Sequence, residues 1–392
     1  MLNTHFSPWP SYTDEDADAV RQVLLSNRVN YWTGEACRKF EEEFAAWAET
    51  PYAVAVANGT VALDLALKAL NIGPGDEVVV TPRTFIASAS CVINAGAIPV
   101  FADVDRDSQN ITAGTIAAVL TPRTKAVICV HLAGWPCDMD PIMALAQQHG
   151  FFVIEDCAQA HGARYRGRSV GSIGHIGAWS FCQDKIMTTG GEGGMVTTHD
   201  KALWQAMWSF KDHGKSWEAV YERQHPPGFR WLHESFGTNW RMMEMQAVLG
   251  RRQLRQMAAW TAARRANLAK VAEAVAPFSV VRMPQPPVGV EHAAYKAYAF
   301  VQPEHMKPGW SRDRIVEEIN ARGVPCYQGS CSEIYRERAF INAGLAPAQR
   351  LAVAQALGDT SLMWLVHPTL TEPEMAKTQA VCAEVLRLAQ VE

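Results

Sequence analysis

The chain has 392 residues, 48% of them hydrophobic and 19% charged, with a formal net charge of −4. That length supports a large core and more than one domain, and the composition is that of a soluble globular protein. The mild negative charge, with no basic block, argues against nucleic acid as the partner. No apolar run is long enough to cross a bilayer, and Met1-Leu2-Asn3-Thr4-His5-Phe6 is not a secretory leader, so a cytoplasmic protein is expected.

Two amphipathic helices are predicted first. One follows the cap-like Thr13 with Asp14, Glu15 and Asp16 in its first turn, and the other carries Phe40, Phe44, Ala45 and Trp47-Ala48 at helical spacing. Short apolar runs then alternate with helical stretches. Strands are expected at 52–57, 77–81, 98–101, 125–130, 151–156, 178–181 and 195–198. Helices are expected over 61–70 and from about Phe85. This alternation implies an α/β fold with a mostly parallel sheet.

After Asp200 the pattern turns helical. Residues 216–236, rich in Trp, His, Pro and Arg, read as an irregular loop, and a helical region runs from about Met242 to Val275. The Pro-rich stretch 283–287 suggests a boundary to a smaller C-terminal domain with a strand at 298–301 and a helix over 312–322. The expected division is 1–275 for the large domain with its N-terminal helices and 276–392 for the small one. The nine cysteines are scattered without a Cys-x2-Cys pair and read as reduced, buried thiols. Cys157 and His161 are four apart, but no second ligand pair follows, so no metal site is expected.

Four places carry chemistry. Asn58-Gly59-Thr60 lies between a buried strand and a helix start, where free N–H groups and the helix dipole suit an anion, although taken alone such a turn is more often a plain N-cap. Thr84-Phe85 follows a strand end and can set an aromatic face on a flat ring. Asp156 closes an apolar strand, the position where α/β sheets hold ligands, with Gln159 three residues on. Lys185 follows Ala178-Trp179-Ser180-Phe181 and precedes Thr188-Thr189-Gly190-Gly191, which places it at a strand end, where a partly desolvated amine is a nucleophile and proton carrier. A lysine, a strand-end acid and a phosphate turn together suit pyridoxal phosphate, whose ring nitrogen needs an acid partner.

The ordered set resembles the DegT/StrS family of pyridoxal-phosphate-dependent sugar aminotransferases. The likeness runs from Thr33-Gly34 through Asn58-Gly59-Thr60-Val61-Ala62-Leu63, Thr84-Phe85-Ile86-Ala87-Ser88, Glu155-Asp156-Cys157-Ala158-Gln159-Ala160-His161-Gly162 and the lysine motif. It continues to Lys211-Asp212-His213-Gly214, Gly237-Thr238-Asn239-Trp240-Arg241-Met242 and His367-Pro368. It implies the fold type I transferase architecture: a large domain with a seven-stranded, mostly parallel sheet and a smaller α+β domain.

The resemblance implies roles as well. Lys185 is the lysine that bonds the cofactor, Asp156 pairs with the ring nitrogen, and Gln159 lies at the ring hydroxyl. Gly59, Thr60 and Ser180 hold the phosphate, Asn58 belongs to the same cofactor-binding set, and Phe85 stacks on the ring. Asn239 reaches the cofactor of a neighbouring subunit, which implies a homodimer with shared sites. The implied substrates are L-glutamate and a keto sugar, such as a nucleotide-linked 4-keto-6-deoxyhexose, on the way to a surface polysaccharide, lipopolysaccharide or antibiotic sugar. A cyclitol or keto-sugar acid remains the alternative acceptor, and a non-catalytic regulatory homologue is disfavoured because Lys185, Asp156 and Gln159 are all present. The dehydratase branch of the family carries histidine in place of the lysine, so Lys185 argues against it. Asn58 stands where the family frequently has serine, the glycine run after Thr189 is one residue longer than usual, and neither 216–236 nor Lys296 fits an assigned pattern.

Overall fold

Seven strands form one sheet in the computed structural model, which describes residues 6–391. The opening residues 1–5, on which the expectation of no leader rests, lie outside it. The strands are β1 (Tyr52–Val56), β2 (Glu77–Val80), β3 (Ile98–Phe101), β4 (Thr124–Val130) and β5 (Phe152–Asp156), followed after the two-residue β6 (Arg164–Tyr165) and β7 (Arg168–Ser169) by β8 (Ile176–Ser180) and β9 (Gly194–Thr198). Their spatial order is β1-β9-β8-β5-β4-β2-β3. The pairs β2/β3, β2/β4, β4/β5 and β5/β8 are parallel, and β9 runs antiparallel to both its neighbours. This is the mostly parallel sheet of a fold type I transferase.

The strands read as near-continuous apolar runs because both faces are covered. Successive side chains alternate between two cores. Val78, Val80, Ile128 and Ile154 enter the core shared with the helix Gly59–Ala69, whereas Val79, Val127 and Val153 enter the core shared with the helix Met139–His149. The N-terminal helices form as predicted, at Asp14–Leu25 and Ala36–Trp47, and Thr13 makes a reciprocal cap with Asp16. Phe40 and Phe44 pack on Phe181 behind the lysine loop.

A second, antiparallel sheet of order β10-β12-β14-β13 uses β10 (Val281–Arg282), β12 (Ala297–Val301), β13 (Cys326–Tyr327) and β14 (Ser361–Trp364), while β11 (Val290–Glu291) joins β6 and β7 in a small third sheet. The core behind the second sheet draws Val271 and Val275 from the long helix Met257–Val275, and Val381, Cys382 and Val385 from the helix Glu372–Ala389.

Three expectations need correction. The helical region 242–275 is two helices, Glu244–Leu254 and Met257–Val275, separated where the Gln256 N–H bonds the Gln253 carbonyl in a tightened turn. The loop 216–236 contains a helix, Trp217–Tyr221, capped by Ser216 and anchored by Trp217 against Trp204 and Trp208. All nine cysteines are free, and seven are buried, but Cys182 is half-buried at the lysine loop and Cys331 is exposed.

Candidate active site

The carboxyl ends of β5 and β8 open into a cavity of about 860 Å³. Asn58, Gly59, Thr60, Phe85, Asp156, Gln159, Ser180 and Lys185 all line it. Strand ends pointing one way in a parallel sheet bring these side chains together although they lie far apart in sequence.

The anion corner is built first. Asn58, extended at φ −164°, caps the helix Gly59–Ala69, and its Oδ1 accepts from the Val61 N–H at 3.0 Å. First-turn N–H groups have no intrahelical acceptor, so those of Gly59 and Thr60 remain for a ligand. Gly59 is required by the close approach of β8: a Cβ there would lie 2.5 Å from the Cβ of Ser180. Ser180 Oγ accepts from the Cys182 N–H at 3.3 Å, which leaves its proton free to donate. The turn is a cap, and the cap leaves the Gly59 and Thr60 N–H groups unpaired by the helix.

The acid corner follows. Asp156 ends β5 and is nearly buried. Its Oδ2 accepts from Ser88 Oγ at 2.8 Å and its Oδ1 from the Ala158 N–H at 3.1 Å, while Ser88 Oγ lies 3.0 Å from Thr84 Oγ1. Gln159 Oε1 accepts from the Ala133 N–H at 2.7 Å, so its amide NH2 is the end left to donate. Phe85 is 65% exposed, an aromatic face with nothing on it, which is the arrangement a flat ring needs.

The lysine corner lies opposite. Lys185 Nζ stands 5.4 Å from the ring centroid of Tyr295. The Tyr295 hydroxyl donates to Asp184, and burial together with that carboxylate pushes the phenol well above its ordinary range. Burial works to raise Asp184, but Lys185, the Tyr295 hydroxyl and Lys296 outweigh it and hold the carboxyl below its usual range.

Asn239 does not line the cavity. It is exposed and sits on the 211–214 segment, with its Oδ1 accepting from the Arg241 N–H at 3.4 Å. The residues that the sequence reading passed over are Ser88, Asp184, Tyr295 and Trp9, whose Nε1 bonds the Lys185 carbonyl. Ser88 had a signal, since it lies one helical turn from Thr84 in a stretch that follows a strand end.

Cys157 and His161 do not form a pair. His131, Glu155 and Cys157 do come together in the interior. Their polar atoms are already used: Glu155 accepts from His131 Nε2 and from the N–H groups of Gly171, Ile173 and Gly174, and His131 Nδ1 accepts from the Cys137 N–H. Burial raises the Cys157 thiol, and Glu155 and His131 join the backbone of residues 137–174 in a hydrogen-bonded network in the interior.

An amine, a bonded carboxylate, two free N–H groups beside a serine hydroxyl and an open aromatic face fit pyridoxal phosphate: aldehyde, ring nitrogen, phosphate and ring face each meet a matching group. Comparison with known proteins agrees. The sequence model of the DegT/DnrJ/EryC1/StrS aminotransferase family matches residues 10–385. The UDP-N-acetyl-3-dehydro-alpha-D-glucosamine 3-aminotransferase of Acidithiobacillus ferrooxidans is 36% identical, over 98% of this chain and 96% of its own length. The L-glutamine:2-deoxy-scyllo-inosose aminotransferase of Streptomyces kanamyceticus is 35% identical over 81% of this chain and 75% of its own. The crystal structure of an aminotransferase from Psychrobacter cryohalolentis matches with a TM-score of 0.96 at 63% identity, covering 98% of this chain and 99% of that one.

Proposed function

Because the chain belongs to the DegT/DnrJ/EryC1/StrS aminotransferase family, whose members depend on pyridoxal phosphate, we propose that it moves an amino group from L-glutamate to a keto sugar, nucleotide-linked, in the making of an amino sugar for a surface polysaccharide. The observation that carries the reading is that Lys185 and the hydrogen-bonded carboxylate of Asp156 line one cavity with the Gly59–Thr60 anion turn.

The cofactor supplies an aldehyde that bonds amines and a ring that draws electrons from the amine's α-carbon. Lys185 Nζ would move the proton from that carbon to the carbon of the cofactor's former aldehyde, and would run the transfer in reverse when the acceptor is aminated. Asp156 holds a proton on the ring nitrogen, and Ser88 and the Ala158 N–H keep the carboxylate aimed. The Gly59 and Thr60 N–H groups and Ser180 Oγ bind the phosphate. Gln159 donates to the ring oxygen, and Phe85 covers one ring face. Asn239 reaches the phosphate site of a second copy in a homodimer, and the reaction takes place in the cytoplasm. Among the described residues no helix is long and apolar enough to cross a membrane.

The test is the absorption spectrum of the purified protein and of Lys185→Ala, before and after L-glutamate. The expected result is a band near ~420 nm that gives way to one near ~330 nm, and that is missing from the variant. Keto sugars should then restore the first band, and the one that does so identifies the acceptor. A protein that takes up the cofactor without forming the ~420 nm band, or whose band glutamate leaves unchanged, is not this enzyme.

A further inference from the structure

Lys296 directly precedes β12 and lines the same cavity as Lys185. The two amines flank one ring: Lys296 Nζ is 4.8 Å from the Tyr295 centroid, against 5.4 Å for Lys185. Lys296 is half-buried, and among the described residues no protein group accepts a hydrogen bond from its ammonium or forms an ion pair with it, so its charge faces the open cavity. The groups that face it are Asp184 and Lys185 from the loop after β8, Arg264 from the helix Met257–Val275, His367 from the C-terminal segment, the adjacent Tyr295, and Tyr298 from β12. Asp184 is the one acid among them, and it already accepts from the Tyr295 hydroxyl.

A half-desolvated ammonium served only by cavity water gains when an anion takes the water's place. Burial pushes Lys296 down to about 8, against the pull of Asp184 and with Arg264 and Lys185 adding to the fall. An anion from outside the chain would resolve this. An amino-acid donor brings one: its α-carboxylate is one bond from the carbon whose proton Lys185 moves. The cation that fixes it must stand near Lys185 Nζ, and Lys296 is the other basic side chain on the cavity wall.

We propose that Lys296 Nζ receives the α-carboxylate of the amino-acid donor and of the 2-oxo acid it becomes; this rests on the assignment of Lys185 made above. A nucleotide-linked acceptor also carries an anion, but its diphosphate is separated from the reacting carbonyl by the sugar ring and falls further out in the cavity.

The test uses maleate, a dicarboxylate with no amine to transfer, titrated calorimetrically into the holoenzyme, into Lys296→Met and into Lys296→Arg. Methionine keeps the stem and removes the charge. The methionine variant should bind maleate at least about 10-fold more weakly, and arginine should restore most of the affinity. Wild-type affinity should fall as pH rises through about 8, and the arginine variant's should not. Equal maleate affinity in wild type and Lys296→Met overturns the proposal. So does a loss seen only when uridine diphosphate is the titrant, which would assign the lysine to the acceptor. Lys296→Gln, which also removes the charge, decides the question if the methionine variant fails to fold. Failure of the aminotransferase reading shows separately, as a spectrum that glutamate leaves unchanged while the maleate comparison still reads Lys296.

Discussion

Trp9 Nε1 donates to the backbone oxygen of Lys185 at 2.8 Å, tying the N-terminal arm to the loop that carries the reactive amine. The indole is itself fixed, with the Arg264 guanidinium 4.9 Å from its centroid, Trp260 edge-on at 5.0 Å and His367 stacked at 6.1 Å. Phenylalanine keeps most of this packing and removes the donor. Trp9→Phe should therefore cost about 1 kcal/mol of stability in urea denaturation. It should also lower kcat several-fold with the cofactor band intact, because the amine is misplaced rather than lost. An unchanged kcat would make the arm a packing element only.

Ser88 is the support for Asp156 that can be removed most cleanly. Ser88→Ala leaves the carboxylate one donor, the Ala158 N–H, and a looser orientation. The cofactor dissociation constant, read by fluorescence titration, should rise about 10-fold. Asp156→Asn keeps the shape and removes the charge, and should reduce kcat by on the order of 10²-fold or more. If the serine variant holds the cofactor as tightly as wild type, the hydrogen bond has no part in aiming the acid.

Asp156 and Gly59 were legible in the sequence because each is local: an apolar strand followed at once by an acid, and another followed by a cap and a helix. Tyr295 and Asp184 pair across 111 positions and Trp9 reaches Lys185 across 176, and no periodicity encodes such contacts. The two-residue strands β6, β7 and β11 are too short to show alternation, so the third sheet was invisible. The break at Gln256 carries neither glycine nor proline, which are the usual written marks of a helix end.

The loop 216–236 leaves large aromatic surface uncovered. Phe229 and Trp231 are each 78% exposed and Phe236 is 97% exposed, close in sequence to the exposed Asn239. Side chains of this kind are characteristic of interface cores. The protein should sediment at twice the chain mass, and Trp231→Ser with Phe236→Ser should shift it toward monomer. If Asn239 completes the neighbour's phosphate site, the monomer should also hold the cofactor more weakly. A monomeric wild type that binds the cofactor fully would remove both expectations.

The buried histidines set an acid limit on the fold. His161 is fully buried against Trp179 and Phe181, and neither ring nitrogen has a hydrogen-bond partner among the described residues. Burial, then Lys185 and Arg264, push it down to about 3, and burial, Arg264 and Lys296 do the same to His367. The unfolded chain takes up these protons below about 6.5, whereas the native state refuses them until far lower pH. Stability from this source is complete above 6.5 and is lost as pH falls, by about 1.4 kcal/mol per histidine at pH 5.5. His161→Phe removes one such histidine and leaves His367, whose Nδ1 is paired with Thr369 Oγ1 at 2.9 Å, and His292, which burial and Arg265 likewise push down to about 3. Its urea midpoint should therefore fall less steeply than the wild type's between pH 6.5 and 5, by the equivalent of one proton. Parallel curves would mean that His161 takes up its proton in the native state as readily as in the unfolded chain, and that neither burial nor the charges of Lys185 and Arg264 oppose it.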